Sequence, residues 1–104
     1  MSGRIVRGGV RVGFLYMWYL YVLLCADGTY YTGITTDTKR RLHEHNNTKR
    51  GAKYTKVRRP VSLVFKKSFK DRSAAQKAEH IFKRYNRARK KQIIDSQDWR
   101  PDRV

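Results

Sequence analysis

The pattern of apolar and polar positions predicts the first two strands of a sheet. Trp18 to Cys25 is apolar or aromatic, residues 26–29 carry turn chemistry, and Tyr30 to Ile34 is aromatic and β-branched. Two such runs around a short turn predict a β-hairpin. Alternation along its first strand places three side chains on one face, Tyr19, Tyr21 and Leu23.

The next segments predict a helix, a loop and a third strand. Asp37 can cap a helix that runs to about Asn47, with Leu42 on its inner side. Residues 47–60 have little apolar content and six basic side chains, which is typical of a loop. Val61 to Phe69 is rich in strand-forming residues and predicts the third strand.

Helical spacing dominates the remainder of the chain. Ser73 and Gln76 have the spacing of a capping box, which predicts a helix from 73 to about 86. Its predicted apolar stripe consists of Ala74, Ala78, Ile81, Phe82 and Tyr85. Residues 87–94 predict a second short helix, followed by a tail in which Trp99 folds back.

These elements predict an α+β fold in which a small, mostly antiparallel three-stranded sheet is flanked by helices, in the order β-β-α-β-α-α. A length of 104 residues allows one modest core and therefore one domain. We expect a flexible basic arm over 1–17, the domain over 18–95 and a tail over 96–104. The arm is equally consistent with an extended translation start that has no role.

Charge narrows the choice of partner. The chain has 25 Lys and Arg against 8 Asp and Glu, a formal net charge of +17, which favours an anionic partner. Its longest apolar run, Met17 to Ala26, is shorter than the roughly 18 residues that a membrane span needs, so nucleic acid is favoured over a membrane. The single Cys25 excludes an internal disulfide, argues against structural zinc and favours a cytosolic setting, where the protein would associate with the nucleoid.

The acidic residues limit the metal chemistry that the chain can support. They are scattered singly, which disfavours a two-metal nuclease site built from clustered carboxylates. One hard cation held by one carboxylate, waters and a substrate phosphate remains open, with Glu79 as the best candidate. The alternative is that Glu79 is a helix-surface residue paired with Lys83, four positions on.

A second group of residues offers acid-base chemistry. Tyr21 and Tyr31 lie ten residues apart around the turn, and nearby cations are expected to lower a tyrosine pKa. Arg41 could hold a phosphate, and His45 one turn later could donate or accept a proton. On sequence alone, tyrosines in such a pattern are more often core residues, and the alternative for Arg41 and His45 is a solvated basic helix face.

Taken in order, these residues resemble the GIY-YIG nuclease superfamily. The run Tyr19-Leu20-Tyr21, nine residues, Tyr31-Thr32-Gly33, then Arg41 and His45, then Glu79 in a later helix carries the resemblance. It extends over about 18–94 and is strongest to the small standalone bacterial members. Three motif positions depart, since Tyr19 stands for glycine and both Leu20 and Thr32 stand for isoleucine. An asparagine common beyond the metal glutamate is replaced by the stretch Arg89-Lys90-Lys91.

The resemblance implies an endonuclease that hydrolyses DNA with Mg²⁺ or Mn²⁺. It implies that Tyr31 is the preferred general base, Tyr21 its partner, Arg41 the residue that stabilises the phosphoryl charge, and Glu79 the metal ligand. His45 would line the cleft, and Gly33 would allow backbone and substrate to approach closely. We further expect nucleic-acid contacts from Lys39, Arg40, Lys53, Tyr54, Lys56, Arg58, Arg59 and Lys83.

Two other function classes fit the charge. One is a catalytically weak DNA- or RNA-binding module of the same fold that acts with a protein partner. The other is a basic RNA-binding or ribosome-associated protein, with RNA as the less favoured ligand. Without a second domain that reads a DNA site, we expect structure-selective or weakly sequence-specific action in repair or recombination, with branched, nicked and single-stranded DNA all open as substrates.

Overall fold

A three-stranded antiparallel sheet forms the centre of the molecule. The computed structural model describes residues 11–12 and 15–101, with side chains from residue 17 onward. Two short strands, β1 (Arg11–Val12) and β2 (Leu15–Tyr16), pair with each other ahead of the sheet. The sheet itself has the order β4-β3-β5, with β3 (Trp18–Leu24), β4 (Tyr30–Thr35) and β5 (Ser62–Phe69). The predicted α+β class is confirmed.

Parts of the predicted arm and tail lie outside the described residues. Residues 1–10 and 13–14 belong to the predicted arm, and residues 102–104 to the predicted tail. The division into arm, domain and tail therefore stays a prediction.

The turn between β3 and β4 is built from side-chain and backbone hydrogen bonds. The backbone N–H of Gly28 donates to Cys25 O at 2.9 Å, and Gly28 has a φ of 85°, which favours glycine. Asp27 Oδ1 accepts from both the backbone N–H and the hydroxyl of Thr29. The Asp-Gly turn read from the sequence therefore forms the hairpin.

Helix α1 (Thr38–Asn47) agrees with its prediction, and the next segment does not. Asp37 caps α1 by accepting from the backbone N–H of Arg40 at 3.0 Å. The predicted loop over 47–60 contains a single helical turn, α2 (Lys53–Lys56), so that prediction was wrong in part. The carbonyl of Ala52 accepts from the backbone of Thr55 and Lys56, and this turn has too little apolar periodicity to be read from sequence.

Helices α3 (Arg72–Arg84) and α4 (Arg87–Ser96) follow β5. The capping-box prediction at Ser73 was wrong, because Asp71 is the N-cap and accepts from the backbone N–H of Ala74 at 2.8 Å. Ser73 already lies inside the helix. The predicted apolar stripe is shifted at its start, since Ala75 rather than Ala74 is fully buried.

The two faces of the sheet pack against different helices. A helix-side core covers one face and consists of Leu20, Val22, Phe65, Ala78, Phe82, Ile93 and Trp99. A site-side core covers the other and consists of Tyr21, Leu23, Cys25 and Val61, with Leu42 of α1 packed against it. The alternation predicted for β3 is confirmed, since neighbouring positions belong to different cores.

Aromatic packing holds the end of the described chain on the helix-side core. The Trp99 ring lies 5.3 Å from Phe82 and 6.4 Å from Phe65, measured between ring centroids. Its Nε1 donates to the Tyr85 hydroxyl at 3.2 Å. Trp99 thus folds back as expected. Within the described residues, no helix has the length and apolar content required to cross a membrane.

Candidate active site

The site is organised around Tyr21, whose ring crosses the neighbouring strand at Gly33. Tyr21 and Gly33 are register partners between β3 and β4. A Cβ at position 33 would lie 2.5 Å from Tyr21 Oη and 2.8 Å from Tyr21 Cζ. Gly33 therefore provides the space that the sequence predicted, but the group that approaches its backbone is the Tyr21 ring.

A buried chain of hydrogen bonds fixes the Tyr21 hydroxyl. Tyr21 Oη lies 2.7 Å from His45 Nε2, and His45 Nδ1 lies 2.8 Å from Thr55 Oγ1. The Thr55 hydroxyl in turn donates to Ala52 O at 2.9 Å. His45 and Thr55 are both completely buried, and Tyr21 is 2% exposed. The alternative of a solvated helix face is therefore wrong for His45.

The number of available protons indicates which group donates in each hydrogen bond of this series. If Thr55 gives its only proton to Ala52, His45 Nδ1 carries the proton that Thr55 Oγ1 accepts. Nε2 is then an acceptor and receives the Tyr21 hydroxyl proton. With Nδ1 protonated, the Ala52 N–H, whose nitrogen lies 3.4 Å from Nδ1, cannot donate a hydrogen bond to it.

Burial keeps both members of the Tyr21 and His45 pair neutral. Burial raises the pKa of Tyr21 above its ordinary value, and this exceeds the lowering by the hydrogen-bonding guanidinium of Arg41. The charges of Tyr31 and Glu79 raise the Tyr21 pKa further. Burial, followed by the charge of Arg41, lowers the pKa of His45 to about 4. The expectation that cations lower a tyrosine pKa therefore does not hold for Tyr21.

Arg41 is held beside Tyr21 by two acceptors. Its Nη1 lies 2.8 Å from Glu44 Oε1 and 2.8 Å from Arg50 O. Glu44 is one helical turn away on α1, and its side chain is only 16% exposed. The guanidinium is thus anchored by Glu44 and Arg50 O, and it is near enough to Tyr21 to oppose the rise of that residue's pKa.

Tyr31 is the partly exposed member of the tyrosine pair. Its ring centroid lies 6.4 Å from that of Tyr21 and 5.1 Å from that of His45. Tyr54 stacks on it at 6.0 Å and 25°, and the Arg58 guanidinium lies 3.8 Å from the Tyr54 centroid. Asp27 of the hairpin turn holds Arg58 through a 2.9 Å ion pair. Tyr31 is therefore braced by a stack and still reaches solvent.

Glu79 lies on α3, where it pairs with Lys83 and acts electrostatically on Tyr21. Its Oε2 lies 3.0 Å from Lys83 Nζ, the pairing that was the alternative interpretation. Its charge also raises the pKa of Tyr21, although less than burial does. No group of three His, Cys, Asp or Glu side chains that could hold a metal occurs among the described residues. A lone carboxylate, 23% exposed and paired with an exposed lysine, fits an Mg²⁺ ion that keeps its waters and takes phosphate oxygens.

The predicted nucleic-acid contacts divide into exposed and engaged residues. Exposed side chains are Lys39, Arg40, Lys53, Lys56 and Lys83. Arg59 instead donates to the carbonyls of His45 and Thr48 at the end of α1, and Arg58 is held by Asp27 and Tyr54 O. These bonds give Arg58 and Arg59 structural tasks, and contact of any of these residues with nucleic acid stays a prediction.

Three residues of the site escaped the sequence interpretation. Glu44 stands three positions after Arg41, a spacing that signals a helix ion pair. Thr55 follows Tyr54 but belongs to a turn that the pattern did not reveal. Lys66 is the register partner of Tyr21 on β5, and a bulge between Val22 and Leu23 makes that register unreadable from alternation.

Asn86 is the N-cap of α4. Its side chain accepts from the backbone N–H of Arg89 at 2.9 Å. The residue therefore has a structural role at the start of that helix.

Comparison with known proteins bears on this arrangement. Residues 17–92 match the model of the GIY-YIG catalytic domain. A UPF0213 protein of Desulfotalea psychrophila is 46% identical over 81 residues, which cover 78% of this chain and 74% of the relative. A UPF0213 protein of Streptococcus agalactiae is 53% identical over 72 residues, covering 69% and 81%. The solution NMR structure of an E. faecalis protein is 42% identical with a TM-score of 0.57, covering 86% of this chain and 90% of that one.

Proposed function

Because this chain belongs to the GIY-YIG catalytic domain family, a nuclease-type family, we propose that it is a metal-dependent endonuclease that hydrolyses DNA phosphodiester bonds. The observation that carries the proposal is the meeting of Tyr21, Tyr31, Arg41 and His45 around one buried hydrogen-bond chain, with Glu79 acting on it electrostatically. A purely structural hairpin has no need to hold a partly buried guanidinium and two tyrosines together.

The different surroundings of the two tyrosines support Tyr31 as the general base. Burial and the neighbouring charge of Tyr31 oppose ionisation of Tyr21, and the Tyr21 hydroxyl is already engaged in a hydrogen bond with His45. Tyr31 is the one that reaches solvent. Two titratable groups whose environments differ in this way can take different roles.

In the proposed reaction, ionised Tyr31 accepts a proton from the attacking water. The water oxygen bonds to phosphorus, the bond from phosphorus to the leaving ester oxygen breaks, and that oxygen is protonated from solvent. Arg41, fixed by Glu44 and Tyr21, donates to the phosphoryl oxygens as their negative charge increases. Tyr21 and His45 stay neutral and hold Arg41 in place.

Glu79 is the residue that would hold the divalent cation, Mg²⁺ or Mn²⁺. When bound there, the cation would neutralise charge on the phosphate and on the leaving oxygen. Lys83 would have to leave Glu79, which its exposed side chain permits. The further expectations, weak sequence specificity, selection by DNA structure and a role in repair or recombination, belong to this proposal.

The test incubates the protein with Mg²⁺ or Mn²⁺ and a panel of linear, single-stranded, flapped and branched DNAs, with matching RNAs. Tyr31→Phe and Glu79→Gln should each lower kcat/KM by about 100-fold or more, the range for loss of a general base. Tyr30→Phe, on the adjacent residue of β4, is the control for the tyrosine change. Asp95→Asn, whose carboxylate pairs with Lys91 at 2.9 Å as Glu79 pairs with Lys83, is the control for the carboxylate change.

Both controls should cleave within about twofold of the unmodified protein. Cleavage that persists in Tyr31→Phe and Glu79→Gln would come from a contaminant and would contradict the mechanism. The second candidate function, a binding module that acts with a partner, is favoured by the Glu79 to Lys83 ion pair and by the stretch Arg89-Lys90-Lys91 in place of the asparagine. Salt-sensitive binding without cleavage in any arm would support it.

A further inference from the structure

A partly exposed aromatic ring lies directly beside the site on the same face of the sheet. Tyr19 precedes Tyr21 by two positions on β3, so both side chains point to the site face, with their Cα atoms about 7 Å apart. Neither of the two cores formed by the described side chains includes Tyr19. Its opposite neighbour on β5, Ser68, is exposed, so the sheet face is open there.

An exposed cation lies between this ring and the site. Lys66 is the register partner of Tyr21 on β5, and directly opposed side chains stand on the same face. Lys66 Nζ lies 5.5 Å from the centroid of the Tyr19 ring. This distance is near the outer limit of about 6 Å for a cation–π contact, so little interaction energy is lost when the lysine moves off the ring.

We propose that Tyr19 and Lys66 form a nucleotide subsite next to the scissile phosphate, in which a base stacks on Tyr19 and the adjoining phosphate pairs with Lys66. A partly exposed aromatic ring with a neighbouring cation is a combination that proteins use to bind single-stranded nucleic acid. This inference rests on the proposed function for the identity of the ligand. It also gives a role to Tyr19 where the first motif of the resembling superfamily has glycine.

The position of the subsite determines what it would do. Arg41 holds the phosphate at the reaction centre in the proposed mechanism, and Lys66 stands on the opposite side of Tyr21 from Gly33. A strand that occupied both would have one base unstacked from its neighbours and placed on Tyr19. The subsite therefore selects for DNA whose bases are free to leave a duplex stack.

The test measures binding of the full chain to a single-stranded oligodeoxynucleotide carrying one 2-aminopurine, in the absence of divalent metal so that no cleavage occurs. Stacking on Tyr19 should quench the 2-aminopurine fluorescence. Tyr19→Leu should abolish that quenching and raise Kd about fivefold or more. Tyr19→Phe, which keeps the ring, should retain both the quenching and the affinity.

Lys66→Gln tests the phosphate contact through the salt dependence of Kd. Loss of one contact to single-stranded DNA should reduce the slope of log K against log salt by about 0.7. The matched control is Lys67→Gln, because Lys67 is the next residue on β5 but lies opposite Leu20 on the helix-side face. Its slope should stay unchanged.

Unaltered quenching and affinity in Tyr19→Leu would overturn the proposal, as would equal slope changes in Lys66→Gln and Lys67→Gln. Thermal unfolding of each variant separates loss of binding from loss of fold. The expected binding pattern without any DNA cleavage in the metal-containing panel would refute the nuclease and leave the subsite standing. Cleavage that is insensitive to Tyr19→Leu and Lys66→Gln, with unchanged binding, would refute the subsite alone.

Discussion

Replacing Gly33 by alanine is the sharpest test of how the site is built. The added Cβ would lie 2.5 Å from Tyr21 Oη, 2.8 Å from Cζ and 3.1 Å from Cε2. Tyr21 cannot absorb this by a small rotation, because its hydroxyl is bonded to buried His45 at 2.7 Å and its ring is 2% exposed. We expect the ring to move and the hydrogen bond to break.

The magnitude follows from three contributions. Overpacking of this kind costs about 1–3 kcal/mol, and leaving the buried His45 acceptor without a partner costs about 1–3 kcal/mol. Replacing a strand glycine by alanine returns about 0.5–1 kcal/mol of backbone entropy. We therefore expect Gly33→Ala to lower the free energy of unfolding by about 1–5 kcal/mol. Displacing Arg41 along with Tyr21 should also lower kcat/KM by about 100-fold, since a shift of about 1 Å has that effect.

A double-mutant cycle with Tyr21→Leu measures whether the ring is the cause. Leucine has no atoms at the Cζ and Oη positions, so Gly33→Ala should be close to neutral in that background. Urea unfolding of the four proteins gives the coupling free energy, expected at about 2 kcal/mol. Equal destabilisation by Gly33→Ala in both backgrounds would refute the reasoning, because the ring would then not be what the methyl group meets.

Three further predictions concern groups around this ring. Since burial lowers the pKa of His45 to about 4, below the usual value near 6.5, the unfolded state takes up the proton first. Stability should be complete above about pH 6.5 and decrease toward pH 4, and urea unfolding of His45→Gln should lack that part of the slope. Arg59→Met should lower the melting temperature without changing the salt dependence of DNA binding, whereas Lys56→Gln should reduce the salt slope without changing the melting temperature. Glu44→Gln should lower kcat about tenfold with little change in KM, because it loosens Arg41 only, and a pure KM effect in steady-state kinetics would contradict that role.

Elements with a strong local signal were predictable from the sequence. The hairpin follows from two apolar runs and an Asp-Gly turn, and α1 follows from Asp37. The register of β5 was not predictable, because its bulge shifts the pairing by one residue between Val22 and Leu23. Lys66 was missed for that reason.

The sequence predicted which residues belong to the candidate site, but it did not predict the hydrogen bonds between them. The order of the motifs pointed to Tyr21, Arg41 and His45, which do meet, but spacing carries no information about burial. Thr55 belongs to a polar single-turn helix, so no apolar period marks it. Nor could a sequence distinguish an arginine that is free for phosphate from Arg59, whose guanidinium is already bonded to the carbonyls that end α1.

The two tyrosines show why the unreactive residues of this site matter as much as the reactive ones. Tyr21 and Tyr31 belong to the same face of one hairpin, since their partners across the ladder are Gly33 and Leu23. A buried hydroxyl is tolerated only when it and its partners form hydrogen bonds. Tyr21 meets this requirement through the chain that runs by way of His45 to Thr55. That chain holds Tyr21 in place and keeps it neutral, and in the proposed mechanism a fixed Tyr21 would keep Arg41 directed toward the phosphate. Tyr31 is not part of the chain and is partly exposed, so the hydrogen bonds that engage Tyr21 are also the reason why we propose Tyr31 as the base.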